Sequence, residues 1–104
     1  MIFLININGH FFDWDPVKSR KNLQKHGVSF KEAVTAFQDE NAVYFDDERH
    51  SQFEDRFIVI GFSKAKRLLY VCYCYRESEV VIRIISARKA TESESKTYGG
   101  EEYE

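Results

Sequence analysis

The residues of this chain best suited to chemistry stand in one apolar run, Val80-Val81-Ile82-Arg83-Ile84-Ile85-Ser86-Ala87-Arg88-Lys89-Ala90. Its β-branched first half predicts a buried strand. A guanidinium inside such a strand is costly unless it is paired or faces a cleft. Side chains alternate along a strand, so Arg83 shares a face with Val81 and Ile85. Unbroken extended geometry would put Arg88 on the other face. A bulge or the strand's end must therefore intervene if the two guanidinium groups are to converge. The plain alternative pairs Arg83 with Glu54 or Glu79 and leaves Arg88 and Lys89 as solvated charges at the strand's end.

Other candidates lie outside that run. Free imidazole has a pKa of about 6.5, close to neutrality, which makes His26 a candidate for proton transfer. Gly27 directly after it also marks His26 as a helix-end residue favoured by the helix dipole. Glu54 and Arg56 alternate on one strand face, as a base beside a cation or as an ion pair. Lys18, Arg20, Lys21 and Lys25 crowd one helix, either as a surface for a polyanion or as a solvated face. Asp46, Asp47, Glu48 and His50 carry metal-ligating atoms, but a polar loop accounts for them, and no metal or cofactor is assigned. Cys72 and Cys74, separated by Tyr73, suit neither a disulfide within a strand nor a zinc pair and read as reduced core residues of a cytosolic protein.

The elements that must position these groups follow from turn and cap signals. The 104 residues, 43% of them hydrophobic, suit one α+β domain with one core. Met1 to His10 reads as an extension or an edge strand ending at the turn pair Asn8-Gly9. Phe11 to Trp14 is a short strand. Asp15-Pro16 then supplies an N-cap and a first helical residue, opening a helix to His26 with Val17 and Leu23 as its apolar anchors and Gly27 as its left-handed C-cap. Ser29 and Glu32 have capping-box spacing, Val28 and Ala33 that of a hydrophobic staple. Phe30, Ala33, Val34 and Phe37 make an apolar helix face, with the end expected near Gln38-Asp39. Ala42 to Phe45, Phe53 to Phe62, Arg67 to Tyr75 and Val80 to Ala87 read as strands, the last three an antiparallel meander with turns at Ser63 to Lys66 and Arg76 to Glu79. Thr91 and Glu94 form a second capping-box pair for a last helix to Tyr98. Gly99-Gly100 breaks it before a frayed acidic tail, residues 99–104. No run reaches the length of a membrane span, and the N-terminus lacks the basic start of a signal peptide. The formal net charge of -2 excludes a globally basic nucleic-acid binder, so any polyanion site must be a local patch.

Taken together, Phe12-Asp13-Trp14-Asp15-Pro16, Lys18, Asn22, Lys25-His26-Gly27-Val28-Ser29-Phe30, Glu32-Ala33 and Phe37 resemble the opening of the BrnT toxins. His50-Ser51, Glu54, Arg56, Gly61 and Ser63 continue the pattern, and Arg83-Ile84-Ile85-Ser86-Ala87-Arg88 with Ala90, Glu94 and Tyr98 completes it. The resemblance spans about residues 11 to 98. Two departures stand out: Met1 to His10 precedes the family's usual start, and Lys89 stands where a second arginine is common. Lysine keeps the charge but loses the planar fork.

The resemblance implies a RelE-like fold, with two N-terminal helices packed on an antiparallel meander and a C-terminal helix. It implies a ribonuclease toxin of a type II toxin–antitoxin pair that arrests translation. Its partner would be a BrnA-like ribbon-helix-helix antitoxin in a 2:2 heterotetramer, with operator DNA reached only through the antitoxin. Metal-free RNA cleavage needs a base for the substrate's 2′-hydroxyl, cations for charge on phosphorus and an acid for the leaving 5′-oxygen. Arg83 and Arg88 suit charge stabilisation, because a guanidinium matches phosphate oxygens bidentately. Lys89 would assist as a point charge or as the acid, and Glu54 and His26 are the proton-transfer candidates. Lys18, Lys21, Lys25 and Arg76 would track the RNA backbone. Tyr70, Tyr73 and Tyr75 would either stack on bases or pack within the sheet. The competing function is a non-catalytic partner module of a DNA-binding antitoxin, acting in operon autoregulation. Direct DNA binding is the weakest reading, given the net charge and the lack of a helix-turn-helix pattern.

Overall fold

A computed structural model describes residues 3–7, 9–50, 54–76 and 80–100. Ten elements follow one another: β1 (Phe3–Ile7), β2 (His10–Trp14), α1 (Pro16–His26), α2 (Phe30–Ala36), β3 (Val43–Asp46), a single 3-10 turn (Glu48–His50), β4 (Arg56–Phe62), β5 (Leu68–Arg76), β6 (Val81–Lys89) and α3 (Glu92–Tyr98). The six strands make one sheet in the order β1-β2-β6-β5-β4-β3. The expected meander is present as β4-β5-β6, with β3 added antiparallel to β4. The sheet is nevertheless mixed rather than purely antiparallel: β2 lies parallel to β6, and β1 pairs antiparallel with β2 to form the edge. A parallel neighbour needs a crossover, and everything from α1 to β5 serves as that crossover.

One face of the sheet carries the main core. Val59, Val71, Tyr73, Ile84 and Ala87 point to it and meet Val28, Phe30, Ala33, Val34 and Ala36. Phe37 wedges between Phe12 and Tyr73, edge-on to both rings at 5.1 Å. The opposite face carries a smaller cluster of Ile58, Ile60 and Cys72, with Phe45, Tyr70, Ile85 and Tyr98 packed against it. Tyr98 is the end of α3, so among the described residues this second face is covered at one end only.

Capping follows the sequence closely. The Asp15 carboxylate accepts from the Val17 N–H at 2.8 Å, and Gly27 takes the left-handed conformation with φ 71°. Thr91 and Glu94 complete a reciprocal capping box. At α2 only half of the expected box forms. The Ser29 hydroxyl accepts from the Glu32 N–H, but the Glu32 carboxylate turns to Arg67 and Ser63 instead. That helix also ends at Ala36, earlier than expected, and Phe37-Gln38 forms a turn.

The expected apolar anchors of α1 are a correction. Val17 and Leu23 are 46% and 49% exposed, whereas Asn22 is buried at 8%. The Asn22 side chain donates to the carbonyls of Val28 and Ala87 at 2.8 and 2.7 Å and accepts from the Ala87 N–H at 3.2 Å. The paired stretch of β2 ends opposite Arg83, so among the described residues the backbone of β6 beyond that point lacks a strand partner on that edge. Asn22 satisfies it with one amide side chain. Buried backbone groups demand partners, and a helix-period apolar stripe is therefore unnecessary here. The start of the fourth expected strand at Phe53, the Ser51 position, the turn at residues 77–79 and the tail at 101–104 fall outside the described residues, as do the side chains of Phe3 and His50.

Candidate active site

The two arginines share a face. Tyr73 pairs with Ile84 and Cys72 pairs with Ser86, so Ile85 is an extra residue in β6. Such a bulge shifts the alternation by one. Arg83 and Arg88, five positions apart, therefore both leave the sheet on the face away from α1 and α2. Lys89 does not join them. Its register partner is Leu69, a core residue of the helix-covered face, and it lines no part of the site described below.

Arg83 does not pair with Glu54, and Glu79, the other expected partner, lies outside the described residues. Its Nε and Nη2 donate to the two oxygens of Asp13, both at 2.9 Å. Asp13 stands beside Arg83 in the parallel β2–β6 register and is 7% exposed. These hydrogen bonds push the Arg83 pKa above its ordinary value, so the cation is permanent. Only two of the five guanidinium donors are used this way. Arg88 is clamped likewise: Nη1 and Nη2 donate to Glu94 at 2.7 and 2.8 Å, and the guanidinium lies 4.2 Å from the centre of the Tyr70 ring. Glu94 also accepts from the Thr91 N–H at 2.8 Å, so the capping box of α3 fixes the carboxylate that fixes Arg88. Burial alone would raise the Glu94 pKa, but the bonds from Arg88 and Thr91 outweigh it and hold the carboxyl below its ordinary range.

Between these clamps the strands lay a row of groups across one face: Asp13 of β2, Arg83 of β6, Cys74 of β5 and Arg56 of β4. Glu54 meets Arg56 at 3.4 Å and Arg76 across the strand at 3.4 Å, so it bridges two cations. Two adjoining cavities open above the row. The smaller, about 120 Å³, is lined by Arg83, Arg56, Arg76, Lys18, Glu54 and Asp15. The larger, about 480 Å³, is lined by Arg88, Arg56, Arg49, His26, Asp47 and Tyr70, among others. Arg83 and Arg88 thus serve different cavities, and Arg56 lines both.

The remaining candidates divide by location. His26, at the end of α1, reaches the larger cavity past the open edge of β6. Lys18 reaches the smaller one, whereas Lys21 and Lys25 are exposed on α1 and line neither. Tyr73 is a buried core residue of the other face, and Tyr75 points to that same face. Tyr70 alone of the three tyrosines lines the cationic cavities. Cys72 and Cys74 are buried free thiols in the floor, and burial together with the Asp47 charge pushes Cys72 up to about 12. Neither is a ready nucleophile at neutral pH. Among the described residues no group of three or more His, Cys, Asp or Glu side chains is placed to hold a metal ion.

Sequence reasoning missed Asp47, Arg49 and the full part played by Arg56. Asp47 sat in a polar run with no periodic signal. Only the register of β3 on β4 turns it inward, where it is 9% exposed and 3.6 Å from the Cys72 sulfur. The one available signal was alternation from Phe45, two residues earlier, which shares the Ile58 row.

A sequence model of the family described as "Ribonuclease toxin, BrnT, of type II toxin-antitoxin system" matches residues 14–94. The crystal structure of the Brucella abortus ribonuclease toxin, BrnT, is similar in fold, with a TM-score of 0.57 and 26% sequence identity, over 76% of this chain and 94% of that one. A search of curated proteins found no match. β1 and nearly all of β2 precede the residues that the family model matches. With its cationic sheet face, a shared fold and a family match over most of its length, this chain belongs to the BrnT ribonuclease toxins of type II toxin–antitoxin systems.

Proposed function

We propose that the chain is an endoribonuclease that cleaves RNA without a metal ion and thereby arrests translation. The observation that carries this is the sheet face on which Arg56, Arg76, Arg83 and Arg88 gather around two adjoining cavities together with His26 and four carboxylates, Asp15, Asp47, Glu54 and Glu94. A phosphodiester needs cations at its oxygens and a proton donor and acceptor on either side. Arg83 and Arg88 hold phosphate charge, while His26 and Glu54 are the proton-transfer groups within reach of it. Lys18 and Arg76 extend the basic surface along the smaller cavity, with Lys21 and Lys25 further out on α1. The description of the fold as RelE-like and the cytoplasmic setting belong to this reading. So does a BrnA-like ribbon-helix-helix antitoxin, bound in a 2:2 assembly and carrying the complex to operator DNA. No helix among the described residues is long and apolar enough to cross a membrane.

The test is growth arrest on induction, paired with cleavage of labelled RNA by purified protein in EDTA, with and without ribosomes. The Arg83→Ala, Arg88→Ala double variant loses both, while its circular dichroism and its antitoxin binding remain. A double variant of full toxicity would refute the assignment of the site. One observation favours the non-catalytic reading: each of these arginines is clamped bidentately by a buried carboxylate, as a purely structural pair would be. Intact RNA at stoichiometric protein, with ribosomes present, would support that alternative.

A further inference from the structure

We propose that Phe11 is a base-stacking residue of this site. A base of the bound RNA strand lies flat on its ring while neighbouring phosphates of that strand meet Arg83 and Arg76. The inference rests on the reading of the chain as an RNA-cleaving enzyme and adds a residue that sets which nucleotides the cationic face prefers.

The placement follows from alternation. In β2, Phe12 and Trp14 belong to the core of the helix-covered face. Phe11 and Asp13 therefore point to the opposite face, the one that carries the arginines. Phe11 joins neither core cluster and is 36% exposed. Burial is what makes a large apolar side chain stabilising, so the fold gains little from this ring.

Register then sets its neighbours. Phe11 stands opposite Val81, and Val81 opposite Arg76, so the three make one row across β2, β6 and β5. The next row on the same face runs Asp13, Arg83, Cys74, Arg56. With strands about 4.8 Å apart and about 3.3 Å per residue, the Phe11 backbone lies roughly 8 Å from that of Arg83 and roughly 10 Å from that of Arg76. Arg83 and Arg76 both line the smaller cavity, together with Lys18. Phe11 thus flanks the cations on their β2 side, close enough for adjacent groups of one RNA strand to meet both the ring and the guanidinium groups.

Chemistry selects the occupant. A base has an apolar π-face and is joined to a charged backbone, and single-strand sites set aromatic rings beside cations for that reason. Asp13, the next residue on this face of β2, gives both carboxylate oxygens to Arg83 and puts negative charge beside Phe11. A phosphate is disfavoured over that position, and a neutral base is not. An apolar protein surface seated on Phe11 would cover Arg83 and Arg76 without matching their charge, whereas a base brings its phosphates with it. One ring reads no hydrogen-bond pattern, so the preference it confers follows stacking strength, the larger purines over pyrimidines.

Anisotropy binding of 2′-O-methylated, uncleavable oligoadenylate and oligouridylate to the full chain tests the assignment. Phe11→Ala weakens binding of the oligoadenylate by about 5–150-fold and that of the oligouridylate less. It leaves the salt slope of the unmodified protein in place, since no phosphate contact is lost. Phe11→Leu, apolar but without a π-face, does not restore affinity. Phe11→Trp does, and its emission is quenched when the oligoadenylate binds; the single native tryptophan, Trp14, is 6% exposed and supplies a constant background. The leucine and tryptophan variants also cover the case in which the alanine variant fails to fold. Unchanged affinity in folded Phe11→Ala, or an unquenched Phe11→Trp that still binds RNA, would overturn the stacking role and leave the ribonuclease reading intact. Full affinity in Phe11→Leu would overturn it as well and mark Phe11 as a plain apolar contact. No binding or cleavage of RNA by the unmodified protein would overturn both.

Discussion

Asn22 shows how one polar side chain replaces an apolar stripe. It spans the β6 edge and the loop after α1 with three buried hydrogen bonds. Truncating it strands the Ala87 N–H and carbonyl and the Val28 carbonyl, and unsatisfied buried groups are expensive. Asn22→Ala is therefore expected to cost about 2–4 kcal/mol, a fall in Tm of about 10 °C or more for a chain of this size, read by thermal circular dichroism. The carboxylates carry a second residue-scale prediction. Hydrogen bonds from Arg67 chiefly lower the Glu32 pKa against the opposing effect of burial, with Ser63 helping. Burial alone would raise Asp39, but the N–H groups of Phe62 and Asn41 and the Tyr98 hydroxyl overcome it. Glu94 is depressed as well. A group whose folded pKa is depressed contributes stability above its unfolded value and loses it as pH falls through the folded one. The urea midpoint should thus be level from about pH 8 to pH 6 and drop at pH values below the ordinary carboxylate values of 4.5 and 3.8. Glu32→Gln should flatten part of that drop. The pairings of Glu32 with Arg67 and of Asp39 with Phe62 and Tyr98 were not legible in the chain, because each joins residues distant in sequence, whereas that of Thr91 with Glu94 is local and was.

Elements were more legible than contacts. Each cap signal spans four residues, and the one at Thr91 formed in full although Arg88 also binds the Glu94 carboxylate. The one at Ser29 lost its carboxylate half to Arg67, whose guanidinium also donates to the Gly27 carbonyl and so ties α1, α2 and the β4–β5 turn together. Where β4 runs under the end of α2, spacing is set by Gly61. A Cβ there would lie 2.7 Å from the Ala36 carbonyl oxygen and 3.1 Å from the Ala42 Cβ. The first is backbone and cannot rotate away. Gly61→Ala should accordingly destabilise by about 1–3 kcal/mol, the usual range for overpacking, seen as a lower urea midpoint with an unchanged slope. The bulge at Ile85 is the element-scale feature on which the site depends. Alternation alone separates Arg83 from Arg88, and one inserted residue reunites them on a face while leaving Lys89 behind.

At the scale of the whole molecule, cations gather locally on one sheet face. The net charge is only -2, yet Arg56, Arg76, Arg83, Arg88 and Lys18 surround one pair of cavities. If RNA lies along them, counterion release sets the salt dependence. Four engaged phosphates would give a slope of about -3 in log affinity against log salt for a single strand. Anisotropy with uncleavable RNA measures this, and Arg76→Ala should reduce the slope by about 0.7. A slope near zero would mean that the face does not hold a polyanion. The chain alone was sufficient for what depends on neighbours in sequence: helix starts at Asp15, Ser29 and Thr91, the Gly27 stop, the β4-β5-β6 meander and the family signature. Those signals are local, since caps, turns and alternation act within a few residues. Packing in three dimensions settled the rest. It chose Asp13 over Glu54 as the partner of Arg83, laid β2 parallel to β6, exposed Val17 and Leu23 and turned Asp47 into the cavity. Each of those outcomes turns on which strand edge lies beside which, a matter of long-range register that no short window of residues contains.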